Sequence, residues 1–229
     1  MLACKNIIVK YGIYTALNNI SLEFNRGEVH VLFGPNGAGK TTFLKVISTS
    51  MKPHKGAIVF KGKDVFTLLY EFRCVLGFLS HDLSLYNNLT AQENLQFWSE
   101  LYEVKDWELR IEEVLQLVGL KDSTDKFVRQ FSRGMKQRLA IARSMLHFPE
   151  VILWDEPYTG IDITTTQIIN QIMNRMKNEG ALIIFSTHDV SAGYALADTI
   201  HVLDRGKIVA SRKKSSLSYD ELQDILFGL

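Results

Sequence analysis

Cysteine is scarce, charge is nearly balanced and long apolar runs are missing, and each shortage removes a class of protein. Only two cysteines, Cys4 and Cys74, occur in 229 residues. They match no metal-ligand spacing and are too few for a disulfide framework, so a reducing cytosol is the expected compartment. Lys and Arg number 26 against 25 Asp and Glu, a net charge of +1. That balance gives no case for a nucleic-acid surface driven by bulk positive charge, and nucleic acid is not an expected partner. No stretch approaches the roughly 18–20 apolar residues that cross a bilayer. Lys5 and Asn6 fall where a secretion signal needs its apolar centre, so export of this chain is not expected either.

What is present centres on Leu32-Phe-Gly-Pro-Asn-Gly-Ala-Gly-Lys-Thr-Thr42. Gly34, Gly39, Lys40 and Thr41 fill the pattern G-x-x-x-x-G-K-[ST], which binds phosphate when a strand leads in and a helix leads out. Val29–Phe33 is a β-branched and aromatic run, and beyond it Phe43, Leu44 and Ile47 fall on one helical face. In such a loop, Gly34, Pro35, Asn36, Gly37, Ala38, Gly39, Lys40, Thr41 and Thr42 wrap backbone amides around the β- and γ-phosphates. The following helix adds its positive dipole end. Lys40 supplies a point charge, and the Thr41 hydroxyl suits Mg²⁺, which prefers hard oxygen ligands.

Further along, the chain delivers more groups of this chemistry. Tyr11 lies between two strand-like runs, Leu2–Val9 and Ile20–Phe24, where its ring either stacks on a purine or packs as an ordinary tyrosine. Strands are expected at Ala57–Phe60 and Val75–Leu79, the latter ending at Ser80-His-Asp82. From about Thr90 to Gly119 the apolar spacing becomes helical, and a helical subdomain is expected over about residues 83–146. Ser132 is a good N-cap for the next helix, which puts exposed amides beside Ser132 and Gly134. Val151–Trp154 reads as a buried parallel strand ending in Asp155 and Glu156. Ligands bind at the carboxyl ends of such strands, so Asp155 is expected to hold Mg²⁺ and Glu156 to activate water. The strand Ala181–Phe185 brings His188 to the same edge as a γ-phosphate contact, a helix is expected from about Asp162 to Lys177, and a hairpin follows at Thr199–Ala210.

With the phosphate loop, the Ser132 helix, Asp155-Glu156 and His188 in this order, the sequence resembles the ATP-binding subunit of an ABC transporter over nearly its whole length. Within that family it is similar to bacterial haem-export or cytochrome c maturation subunits, through Phe131-Ser-Arg-Gly-Met and Glu156-Pro-Tyr-Thr-Gly160. The resemblance implies an α/β P-loop NTPase fold as one domain over residues 1–229. A mostly parallel core sheet, an N-terminal antiparallel β subdomain and the helical insertion would make it up. It implies that Tyr11 stacks on adenine, Glu156 is the catalytic base and His188 the switch histidine. Ser132 and Gly134 would bind the γ-phosphate of ATP held by a second subunit, and Asp162 would lie in the segment crossing the dimer interface.

ATP and Mg²⁺ are thus the expected cofactors. A second ATP-binding subunit and a membrane permease are the expected partners, with the chain at the inner face of the cell membrane. Two segments depart from the family pattern. Arg133 and Met135 stand where Leu-Ser-Gly-Gly-Gln has its first glycine and its glutamine. After Leu79, where the family carries a metal-sensing glutamine, the chain offers His81 or Asp82, and Asp82 is the better oxygen ligand. A soluble assembly ATPase, a small-molecule kinase and a non-hydrolysing clamp are the rival readings.

Overall fold

The structure is a computed structural model that describes residues 1–228. Strands β1 (Leu2–Tyr11) and β2 (Tyr14–Phe24) form a long antiparallel hairpin around Gly12. Strand β3 (Val29–Phe33) is buried at all five positions and runs through the phosphate loop into helix α1 (Lys40–Ile47). There follow β4 (Lys55–Phe60), β5 (Lys63–Asp64), the short helix α2 (Leu69–Arg73) and β6 (Leu76–Leu79). Three helices then intervene before the sheet resumes: α3 (Ala91–Leu101), α4 (Trp107–Leu117) and α5 (Arg133–Met145). The chain closes with β7 (Val151–Asp155), α6 (Ile163–Asn178), β8 (Leu182–Ser186), α7 (Val190–Leu196), β9 (Thr199–Asp204), β10 (Lys207–Lys213) and α8 (Tyr219–Phe227).

Two sheets result. The smaller has the order β2-β1-β4-β5 with antiparallel pairings, and the larger runs β10-β9-β3-β8-β7-β6. In the larger sheet every pairing is parallel except that of β10 with β9. The architecture is therefore α/β with a mostly parallel core and an N-terminal antiparallel sheet, as the sequence pattern indicates. Strand alternation explains why β3, β7 and β8 read as unbroken apolar runs. Ile152, Trp154, Ile183 and Phe185 point into a core shared with α3 to α6, whereas Val151, Leu153, Leu182 and Ile184 pack beneath the N-terminal sheet. Each such side chain contributes about 1.5–3 kcal/mol on burial, so slipping either strand by one residue forfeits both cores at once.

Helix boundaries follow local chemistry. Thr90 caps α3 through a reciprocal pair with Glu93, and Ser218 caps α8 with Glu221 in the same way. The two apolar registers between Thr90 and Gly119 become separate helices because Glu103 and Asp106 take positive φ and turn the chain between them. Among the described residues no helix is long and apolar enough to cross a membrane.

Candidate active site

Because β3, β7 and β8 are parallel neighbours, their carboxyl ends bring residues 34, 155 and 187 to one edge. The cleft there has a volume of about 730 Å³ and is lined by Gly34 to Thr42 without a break, together with Tyr11, Glu156 and His188. The loop depends on its glycines. Gly39 sits at φ 110, and a Cβ on it would come within 2.8 Å of the Ala16 carbonyl oxygen and 2.9 Å of Leu17. The first amides of α1 have no intrahelical acceptor, so they are available to an anion in the cleft.

Lys40 bends back over this loop. Its Nζ donates to the carbonyl oxygens of Gly34 (2.7 Å) and Pro35 (3.2 Å) and lies 3.8 Å from Glu156 Oε1. Burial pulls the ammonium below its ordinary pKa, against the opposing pull of Glu156 and Asp155. A cation so poor in water neighbours gains much from an anionic ligand.

The two acids play different geometric parts. Asp155 is 3% exposed and accepts a 2.6 Å hydrogen bond from Ser186 Oγ. Ser186 in turn accepts from the Glu156 amide at 3.0 Å, so one buried hydroxyl fixes both acids. Glu156 takes φ 52, a left-handed conformation that costs a non-glycine residue roughly 1–3 kcal/mol. It aims its carboxylate into the cleft, where Oε2 accepts from the His188 amide at 3.3 Å and lies 2.8 Å from His188 Nδ1. Nδ1 therefore carries the proton of that contact.

Tyr11 is half exposed at the mouth, with its hydroxyl 3.5 Å from Met51 Sδ. The loop after β6 separates the two alternatives left open by the sequence. His81 lines both the cleft and an adjoining groove of about 450 Å³, while Asp82 lines the groove alone and turns its carboxylate onto the Ser84 amide at 3.2 Å. A metal role would require Asp82 to abandon that turn.

Ser132, Gly134 and Asp162 do not line the cleft of their own chain. Ser132 Oγ accepts from the Met135 amide at 3.2 Å, capping α5. Asp162 Oδ1 accepts from the Thr165 amide at 2.7 Å, capping α6, and that bond holds its carboxyl below the usual range. Sequence reasoning did not single out Tyr14, Ala16 or Thr159, which also line the cleft. Tyr14 follows Tyr11 across the Gly12 turn, and that pair of aromatics was the available signal.

The family profile described as "ABC transporter" matches residues 17–159, more than half of the chain. The ABC transporter ATP-binding protein NatA of Bacillus subtilis (strain 168) is 36% identical over 220 residues, covering 95% of this chain and 89% of that protein. This chain belongs to the ABC transporter ATP-binding family. The lantibiotic transport ATP-binding protein SrtF of Streptococcus pyogenes is 35% identical, over 93% of this chain and 91% of that protein. Among solved structures, a dimeric ATP-binding cassette in a post-hydrolysis state with ADP and Pi superposes with a TM-score of 0.87 and 27% identity. The superposition covers 93% of this chain and 99% of that one. The chain is accordingly an ATPase of P-loop fold that binds ATP, and the cleft on the parallel-sheet edge is where its phosphate loop lies.

Proposed function

We propose that this ATPase works as one of two ATP-binding subunits that energise a separate membrane permease. We assign the roles in the cleft residue by residue. Gly34 to Thr42 hold the phosphates, Tyr11 and Tyr14 flank the base, Glu156 is the general base and His188 contacts the γ-phosphate. The observation that carries the reading is the convergence of Lys40, the Asp155–Ser186–Glu156 relay and His188 on one strand edge.

Glu156 accepts the proton of a water that attacks the γ-phosphorus. The bond from that phosphorus to the β–γ bridging oxygen breaks, and ADP and phosphate leave. Lys40 exchanges the loop carbonyls for phosphate oxygens, and the His188 ring holds Glu156 in place until substrate arrives. The donor set fits Mg²⁺: Thr41 and the buried Asp155 offer hard oxygens, and no cluster of three His, Cys, Asp or Glu stands ready to hold an ion among the described residues. Mg²⁺ held by one or two protein oxygens and the triphosphate would offset phosphate charge.

Single-domain organisation over residues 1–229, with an inserted helical subdomain at about 83–146, suits a permease-docked subunit. Exposed Tyr86, Phe97 and Leu101 on or beside α3 give the permease an apolar surface near Asp82–Thr90, which would hold the chain at the inner membrane face. For cargo, the similarity to a lantibiotic transport ATP-binding protein favours an antibiotic-like peptide over haem. The haem reading rests on Phe131–Met135 and Glu156–Gly160 alone. Glu156→Gln should lower phosphate release by about 100-fold or more in the assembled transporter; unchanged release would remove Glu156 from the role of base. Co-purification of the native chain with a hydrophobic permease tests the coupling, and its absence from native membranes would leave the soluble assembly ATPase standing.

A further inference from the structure

Glu156 holds a left-handed backbone, and such a conformation persists only where the surroundings over-determine it. On the β8 side, Ser186 holds the Glu156 amide. The turn that follows closes on itself, the Thr159 amide donating to the Glu156 carbonyl at 3.2 Å, and ends at Gly160 with φ 69. What holds its outer side is α5. Gln137, 6% exposed, donates from Nε2 to the Pro157 carbonyl oxygen at 3.0 Å. One helical turn earlier on the same face, the Arg133 side chain lies flat on Gly160. A Cβ at Gly160 would fall 2.6 Å from Arg133 Nε and 2.8 Å from Cζ. The guanidinium has no ion-pair or hydrogen-bond partner among the described residues, so its ordered contact is this packing on the turn.

Resting on the assignment of Glu156 as general base, we propose that Gln137 and Arg133 are positioning residues which make α5 the outer clamp on the Glu156–Gly160 turn. Their effect on hydrolysis passes through the aim of the Glu156 carboxylate. Arg133 thus has a use of its own where the family pattern has a glycine: its Cδ, Nε and Cζ cover the αL glycine. The clamp also makes the base sensitive to the N-terminal turn of α5, since a shift there drags Pro157 and Gly160 with it. Neither side chain lines the nucleotide cleft of its own chain, so binding of ATP there does not run through them.

The test is steady-state phosphate release by the full chain carrying Gln137→Met, which keeps shape and removes the donor, Arg133→Ala, Arg133→Lys and the double variant. The expected result is a kcat about tenfold lower for Gln137→Met, equivalent to about 1.4 kcal/mol, with KM for ATP within about twofold and the unfolding midpoint retained by Arg133→Ala. Arg133→Lys, which keeps methylenes over Gly160, recovers part of the Arg133→Ala loss. The double variant falls by less than the product of the single losses, because both groups hold one turn. Parental kcat in both single variants, or a fall explained wholly by unfolded protein, overturns the clamp. Glu156→Gln measured alongside separates the failures: if it too turns over normally, the base assignment is at fault, and if it alone is inactive, only the clamp is.

Discussion

Lys40 satisfies itself on two loop carbonyls and Glu156, and that arrangement is possible only because the loop bends tightly enough to present them. The bend hinges on Gly39. Its φ of 110 excludes ordinary side chains, and the nearest atom to an added Cβ is the backbone oxygen of Ala16, which cannot swing aside. Gly39→Ala should therefore cost roughly 1–3 kcal/mol of local strain and weaken ATP binding about tenfold or more, read by titration with a fluorescent nucleotide. Unaltered affinity would mean the loop amides do not hold the phosphates. At this scale the sequence was most legible where the residue type is itself the chemistry: glycines, Lys40, Asp155, Glu156 and His188 all reach one edge. It was least legible where function depends on a side chain's surroundings. Ser186 looks like any strand-end serine, yet its hydroxyl ties Asp155 to the Glu156 amide, a bridge that exists only once β7 and β8 pair. The same holds for Lys214, which ends the basic run Arg212–Lys214 but donates to the Ala195 carbonyl and lies over the Tyr194 ring.

Helix ends and strand contacts carry a second layer of consequence. Ser132 caps α5 through the Met135 amide, so Ser132→Ala should cost about 1 kcal/mol of stability, seen as a lowered denaturant midpoint, before any effect on catalysis. An activity loss far beyond what that midpoint shift explains would mark a second role for the hydroxyl. Between β3 and β9, His30 and His201 stack at 5.4 Å with Phe24 edge-on to both, and the partly buried His147 stacks on Tyr102 at 3.9 Å. Burial pulls the imidazoles down to about 4 for His30, about 3 for His201 and about 4 for His147. Each folded value lies below the unfolded value near 6.5, so the unfolded chain binds more protons between those limits. Stability is thus intact at pH 7 and falls as pH drops from about 6.5 toward 4, by up to about 1.4 kcal/mol per pH unit for each histidine. Urea midpoints at pH 7 and pH 5 should show this fall, and His147→Phe should flatten it by one histidine's share; a pH-independent midpoint would refute neutral burial. These elements were only partly readable. The long hairpin extends beyond both apolar runs because polar, outward-facing residues such as Lys10 and Thr15 pair across the strands. The short α7 was not foreseen, since seven residues with a central glycine carry no usable periodicity.

The whole molecule divides the expected site into two parts that one chain does not unite. Gly34 to Thr42, Glu156 and His188 share the cleft, whereas Ser132, Gly134 and Asp162 stand outside it. Order along the sequence could show that all these motifs are present but not that they fall into two groups, because parallel-sheet topology decides which loops share an edge. The solved relative with ADP and Pi is dimeric, and under the two-subunit reading proposed above we assign the Ser132 helix of one subunit to the triphosphate of the other. Under that proposal closure would depend on the γ-phosphate, because the α5 amides would gain an anion with ATP and lose the charge nearest them with ADP. A ligand shifts the equilibrium only by its differential affinity for the closed state, so a hydrolysis-deficient chain should accumulate that state. Glu156→Gln is accordingly expected to sediment as a dimer in ATP and as a monomer in ADP or without nucleotide. Ser132→Arg, which fills the approach to the α5 amides, should keep it monomeric in ATP. A Glu156→Gln chain that stays monomeric at saturating ATP while binding the nucleotide normally would show that its site is completed without a second copy.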